Sequence, residues 1–117
     1  MPSPRRVEKL NNLIREELAG ILEREIEFPD SALVTVTRVL VSPDAHYASA
    51  MISAMPRKAR KSVLEILAKN IYAIQQAVNR MTRTRPVPKI TFRIDEEEER
   101  RERVEASLAQ LKQKKEL

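Results

Sequence analysis

Apolar residues return along the start of the chain at the spacing of a helix. Val7, Leu10, Ile14, Leu18, Ile21 and Leu22 fall on one face, which predicts an amphipathic helix running to about Glu25. Ser3 and Pro4 suit its start, the first as an N-cap hydroxyl and the second as a residue whose missing N–H is no loss in a first turn. Gly20 lies inside this helix, where glycine costs roughly 1 kcal/mol against alanine; close packing is the expected compensation. The pattern breaks at Phe28-Pro29-Asp30-Ser31. From Leu33 to Val41 the chain is dense in β-branched residues and reads as a strand. Ser42-Pro43-Asp44 has turn chemistry, with Pro43 setting φ at the second position. Tyr47 to Ala54 follows as a second strand, so an antiparallel hairpin is expected although Ala, Met and Ser are poor strand formers.

The period then returns to that of a helix. Val63, Leu67, Ile71, Ile74, Val78 and Met81 are spaced by fours and threes, a stripe on a long helical stretch opened by Pro56 and Arg57-Lys58-Ala59-Arg60-Lys61. It must stop before Pro86, because the residue preceding a proline is driven to extended geometry. Between Pro88 and Ile94 the apolar Ile90, Phe92 and Ile94 alternate with Thr91 and Arg93, the period of a third strand. Beyond it lies a charged run, Asp95 to Arg103. Val104, Leu108 and Leu111 form a short seam on a helix expected to dock weakly or not at all and to fray into a disordered end. Residues 1–95 are thus expected as one folded unit and 96–117 as a charged tail, helical or disordered.

The order helix, strand, strand, long helix, strand gives a two-layer α+β domain with helices on one face of a three-stranded sheet. With the long helix broken in two, the order α-β-β-α-α-β is that of the type II, bacterial KH domain, a nucleic-acid-binding fold.

Composition narrows the function. At 117 residues the chain can bury one core. The absence of cysteine rules out a disulfide framework and a thiolate metal site. The first residues do not lead into an apolar signal segment, and no run reaches the roughly 20 apolar residues of a membrane span, so a cytoplasmic protein is expected. The net charge of +5 is unevenly spread. Residues 1–30 and 95–117 each carry −2 and residues 31–56 are neutral, while residues 57–94 carry ten bases against Glu65 alone. A basic block of +9 inside a folded domain is an electrostatic footprint for a polyanion.

Catalysis has little to work with. His46 is the only histidine, beside Asp44 on the turn, and no cysteine or second histidine can complete a metal site or a base–orienter pair. One glycine in the whole chain excludes a P-loop and a dinucleotide fingerprint, which need several. The acids from Asp95 to Glu99 read as a solvated helix start matched to the helix dipole. No enzyme, cofactor or metal is expected. Nucleic acid would be held by phosphate contacts from Arg5, Arg6, Arg57, Lys58, Arg60, Lys61, Lys69, Arg80, Arg83, Arg85 and Lys89, with helix N-termini adding partial positive charge. The aromatics Phe28, Tyr47, Tyr72 and Phe92 are too scattered for a stacking platform and are expected in or near the core.

Several segments together resemble the bacterial ribosome-binding factor A family. They are Arg6-Val7 at the opening of the first helix, Leu18-Ala19-Gly20-Ile21-Leu22-Glu23-Arg24-Glu25-Ile26 running into Pro29, and Val34-Thr35-Val36-Thr37-Arg38-Val39 with Val41-Ser42 and Asp44. Tyr47-Ala48 and the run Arg83, Arg85, Val87-Pro88, Ile90, Phe92 and Asp95 complete the match. The resemblance implies a KH-like domain, without enzymatic activity, that binds 16S rRNA in the immature 30S subunit near the neck and decoding region. It further implies a role in late maturation and rRNA processing, particularly in the cold, and release helped by an assembly GTPase. A monomer is expected, since no further apolar stripe is left over. The family replaces the Gly-x-x-Gly loop of ordinary KH domains by an Ala-x-Gly kink in the long helix. Here that position falls at Asn70-Ile71-Tyr72, with neither alanine nor glycine. Asparagine suits left-handed or capping geometry, so a break at Asn70 stands beside an unbroken helix as alternatives. The competing readings of function are a general basic nucleic-acid binder and a protein-interaction module with an acidic partner.

Overall fold

The structure is a computed structural model that describes residues 2–29 and 31–116. Ser3 caps helix α1 (Pro4–Glu25): its hydroxyl accepts the Arg6 N–H at 3.3 Å, with Pro4 in the first turn. The stripe read from the sequence is the face that packs, with Ile14, Leu18, Ile21 and Leu22 buried and Val7 and Leu10 half-buried against them. Gly20 does not serve close packing between elements. The atoms nearest a Cβ there would be those of the Arg24 guanidinium on the same helix, 2.8 Å away at the end of a flexible side chain. In the predicted break after α1, Asp30 lies outside the described residues.

Strands β1 (Leu33–Val41) and β2 (Tyr47–Met55) pair antiparallel, and β3 (Lys89–Ile94) adds parallel to β2, giving the order β1-β2-β3. The register of the hairpin shifts between Val36 and Arg38, leaving Thr37 between them. β2 succeeds as the central strand despite its composition because Ala48, Ala50, Ile52 and Ala54 all face the helices and are almost wholly buried. Small residues at alternate positions let a helix layer approach the sheet closely.

A parallel pair needs a crossover, and the long helical stretch supplies it. A 3₁₀ turn at Arg57–Ala59 leads into α2 (Arg60–Lys69), and α3 (Ile71–Met81) follows after a break at Asn70. The order is therefore α-β-β-α-α-β, a KH-like arrangement with a further helix. Asn70 is not left-handed: its φ is −102° and its ψ 7°. Nor does its side chain cap α3. Its amide donates back to the Ile66 carbonyl at 2.8 Å, finishing α2. Val63, Leu67, Ile74 and Val78 close the core from above the sheet.

The last helix, α4 (Glu96–Glu116), runs on where a frayed end is expected from the sequence. Its Glu, Arg, Ala, Gln, Lys and Leu are all strong helix formers, and four acids occupy its positive first turn. Val104, Leu108 and Leu111 remain exposed on it, so the seam does not dock. Its 21 residues make a rod of about 31 Å.

Candidate nucleic-acid interface

Hydrogen bonds between elements show where the cations gather. The Lys89 N–H donates to the His46 carbonyl at 2.9 Å, which ties the entry of β3 to the hairpin turn. Gln75 of α3 donates to the Pro88 carbonyl at 3.1 Å and accepts the Ile90 N–H at 2.8 Å. Asn11 of α1 accepts the Val41 N–H at 2.8 Å. Thus the hairpin turn, the segment before β3 and the N-terminal half of α1 meet at one end of the sheet. Lys89 stands exposed there, while Arg80, Arg83 and Arg85 are exposed on the last turn of α3 and the segment after it, whose Thr82 is bonded to Glu17 of α1. Arg85 is partly held, since its guanidinium donates to the Thr82 and Thr84 carbonyls at 2.6 and 3.2 Å. Arg5 and Arg6 are exposed at the start of α1, about one and a half turns before Asn11. Lys69 is exposed beside the Asn70 break, where α3 begins without a side-chain cap. Arg5 and Arg6 apart, the sequence shows these cations and the next group as one basic block, because their places on the domain are set by the fold.

Arg57, Lys58 and Lys61 stand exposed at the opposite end, where β2 leaves the sheet. Arg60 does not join them. Its guanidinium pairs with Glu96 at 3.3 Å and with Glu99, and its side chain is mostly buried. The other oxygen of Glu99 accepts the Ala54 N–H at 3.3 Å, just past the point where β3 stops. Arg60 is therefore an internal anchor for α4, not a phosphate contact. Asp95 does the same for Arg38, which the charge pattern alone left unassigned. Arg38 donates to Asp95 at 3.2 Å and to Glu97 at 3.5 Å.

This overturns the reading of the acidic run as merely solvated, because Asp95 and Glu99 are buried. Burial by itself would raise the Asp95 carboxyl. The Thr37 hydroxyl, the Glu98 N–H and the Arg38 guanidinium outweigh it and hold the group below the usual carboxylate range. The signal was present in the sequence as spacing: Asp95 and Glu99 are four apart at a helix start, hence on one face.

The aromatics divide. Phe28 and Phe92 are half-buried against the core, but Tyr47 is 61% exposed and Tyr72 76% exposed, contrary to the expectation that they lie in or near it. Tyr47 shows why. In β2 the helix-facing set is Ala48, Ala50, Ile52 and Ala54, so Tyr47 is one step out of phase and faces away. The turn before it is held by Asp44. Asp44 accepts the Ser42 hydroxyl at 2.6 Å and the His46 N–H at 3.0 Å, bonds that lower its carboxyl and order the turn, while His46 is exposed. Among the described residues no three potential ligands come together for a metal, and no helix is long and apolar enough to cross a membrane.

The sequence pattern of the family described as ribosome-binding factor A matches residues 6–108. A ribosome-binding factor A of Akkermansia muciniphila is 35% identical over 96 residues, spanning 82% of this chain and 76% of the relative. The crystal structure of ribosome-binding factor A from Thermus thermophilus has a like fold, with a TM-score of 0.66 at 24% identity over 75% of this chain and 93% of that one. A Thermus thermophilus ribosome-binding factor A fitted into a cryo-EM map of a 30S complex superposes with a TM-score of 0.63 at 25% identity, covering 73% and 90% of the two chains.

Proposed function

The chain belongs to the ribosome-binding factor A family, and on that premise we propose that it is an assembly factor of the small ribosomal subunit. It binds 16S rRNA of the immature 30S particle and supports late maturation. A relative fitted into a 30S complex supports the choice of subunit. The observation on this molecule that supports RNA binding is the exposed cationic run from the end of α3 to the entry of β3, Arg80, Arg83, Arg85 and Lys89, with Arg5 and Arg6 exposed at the start of α1. Lys69 and the uncapped start of α3 at the Asn70 break add a second donor set.

The mechanism is electrostatic. With one glycine in the chain, no Gly-x-x-Gly loop clamps the backbone. Arginine and lysine contacts to phosphate position the protein on folded RNA without reading bases, and the release of counterions drives binding. The factor acts without a catalytic step or cofactor, as a cytoplasmic monomer, and an assembly GTPase on the same subunit assists its departure.

The test is sedimentation of the tagged chain in cell extract. The protein should co-migrate with free small subunits, not with joined ribosomes, and be lost at high salt with a log–log slope of roughly −4 to −8, at about 0.7–0.9 per phosphate. Triple substitution of Arg83, Arg85 and Lys89 by glutamate should abolish co-migration. Equal distribution over all RNA-bearing fractions would leave only a general nucleic-acid binder, and a flat salt response would remove the phosphate mechanism.

A further inference from the structure

The helices cover one face of the sheet, and the other is largely open. Strand pairing sets its residues in rows. Tyr47 lies opposite Lys89; Ser49 lies between Leu40 and Thr91; Met51 lies between Arg38 and Arg93. Successive rows are about 7 Å apart. Tyr47, Lys89, Thr91, Arg93 and Leu40 are all exposed.

An open polar face is ordinary for a sheet covered on one side only. A merely solvated face mixes its charges along its length, whereas here the acids gather at one end, where Asp95 and Glu97 pair with Arg38. Between residues 31 and 94 the only acids are Asp44, held in the hairpin turn by Ser42 and His46, and Glu65 on α2. The acids at the start of α4 are engaged by Arg38 in the Met51 row and by Arg60 of α2. Lys89 and Arg93 make no ion pair among the described residues. An exposed tyrosine ring beside Lys89 adds a stacking surface to this pair.

From these rows we infer that the open face is a binding surface for a single-stranded segment of RNA, with one base stacked on Tyr47 and the backbone running over Lys89 and Arg93. The ring accepts any base, since each has a π-face, and the cations follow the phosphates. A duplex cannot use this surface in the same way, because its bases are already stacked on one another. The hydroxyls of Ser49 and Thr91 lie between the two cations, placed to bond a ribose 2′-hydroxyl or a phosphate oxygen. This deepens the RNA-binding reading and rests on it. It adds a stacking contact and a strand preference that phosphate contacts alone do not give.

The experiment compares the full chain with Tyr47→Ala, Tyr47→Phe and the double variant Lys89→Gln/Arg93→Gln. All three positions are exposed, and denaturant melts should confirm unchanged stability. The probes are a fluorescent oligoadenylate single strand and a blunt RNA duplex of the same length. Tyr47→Ala should weaken single-strand binding about ten-fold or more, and Tyr47→Phe should hold it within about two-fold. Neither should change duplex binding by more than that. The double variant should reduce the salt slope on the single strand by about 1.4, at 0.7 per lost contact.

Equal losses on both probes, no loss with Tyr47→Ala, or no single-strand binding by the unaltered chain would each overturn the inference. Sedimentation separates this failure from that of the parent reading. If the unaltered chain travels with small subunits and Tyr47→Ala has no effect on either assay, the sheet face is excluded and the assembly-factor reading stands. If the unaltered chain does not travel with them, the parent reading itself fails.

Discussion

At the scale of single residues, Asp95, which follows β3, ties the start of α4 to β1 through three bonds. It accepts the Thr37 hydroxyl at 2.6 Å, the Glu98 N–H at 3.1 Å and the Arg38 guanidinium at 3.2 Å. Its carboxyl is held below the ordinary value near 3.9 of an unfolded chain. The folded state therefore releases its proton more readily than the unfolded one. The stability this contributes is present above about pH 4 and is lost as pH falls through the depressed folded value. Asp95→Asn should lower stability at neutral pH by about 1–2 kcal/mol, the loss of charge-assisted hydrogen bonds to a partly exposed arginine. It should also flatten the acid limb, which urea unfolding between neutral pH and pH 2 would read. An acid limb as steep as that of the unaltered chain would show that Asp95 is not what titrates.

Among the elements, the break between α2 and α3 has the clearest consequence. On either side of it the Val63–Leu67 and Ile74–Val78 faces both enter the core, and just past α3 the Thr82 hydroxyl donates to the buried Glu17 of α1 at 2.8 Å. At φ −102° and ψ 7° any L-residue is tolerated, so asparagine assists the break without being required for it. Asn70→Ala should keep the far-UV circular dichroism of the native chain. It should lose only about 1 kcal/mol, for the single bond to Ile66. A gain in helicity or a loss several times larger would mean that the asparagine itself imposes the break. This also explains why the position was only half legible from the sequence: the apolar stripe is continuous across Asn70, and nothing local distinguishes a kink from a straight helix.

For the molecule as a whole, α4 is two things in one helix. Its first turn is part of the domain, since Glu99 and Asp95 are buried and hold Arg60 and Arg38. The stretch from Val104 to Lys112 is exposed throughout. Ending the chain after Arg103 should change stability by less than about 0.5 kcal/mol, as for surface changes generally. Ending it after Asp95 should cost about 2–4 kcal/mol, because Arg60 loses both partners and the Ala54 N–H loses its acceptor. Denaturant melts of the two truncations would decide it, and equal losses would show that the anchoring turn contributes nothing.

The elements, their order and the core were legible in the chain because they rest on periodicity. Leu18 and Ile21, or Ile90 and Phe92, reveal a face by spacing alone, and Ser3-Pro4 marks a helix start within three residues. The +9 block between residues 57 and 94 was equally plain as a sum of charges. Its arrangement was not. Whether Arg60 meets phosphate or Glu99 depends on residues 39 positions apart, and that Tyr47 and Lys89 stand side by side depends on a parallel pairing across 42. Such contacts are made by chain closure through the crossover helices. Local composition carries no record of them, so only the tertiary structure separates the cations that anchor the fold from those left free to bind.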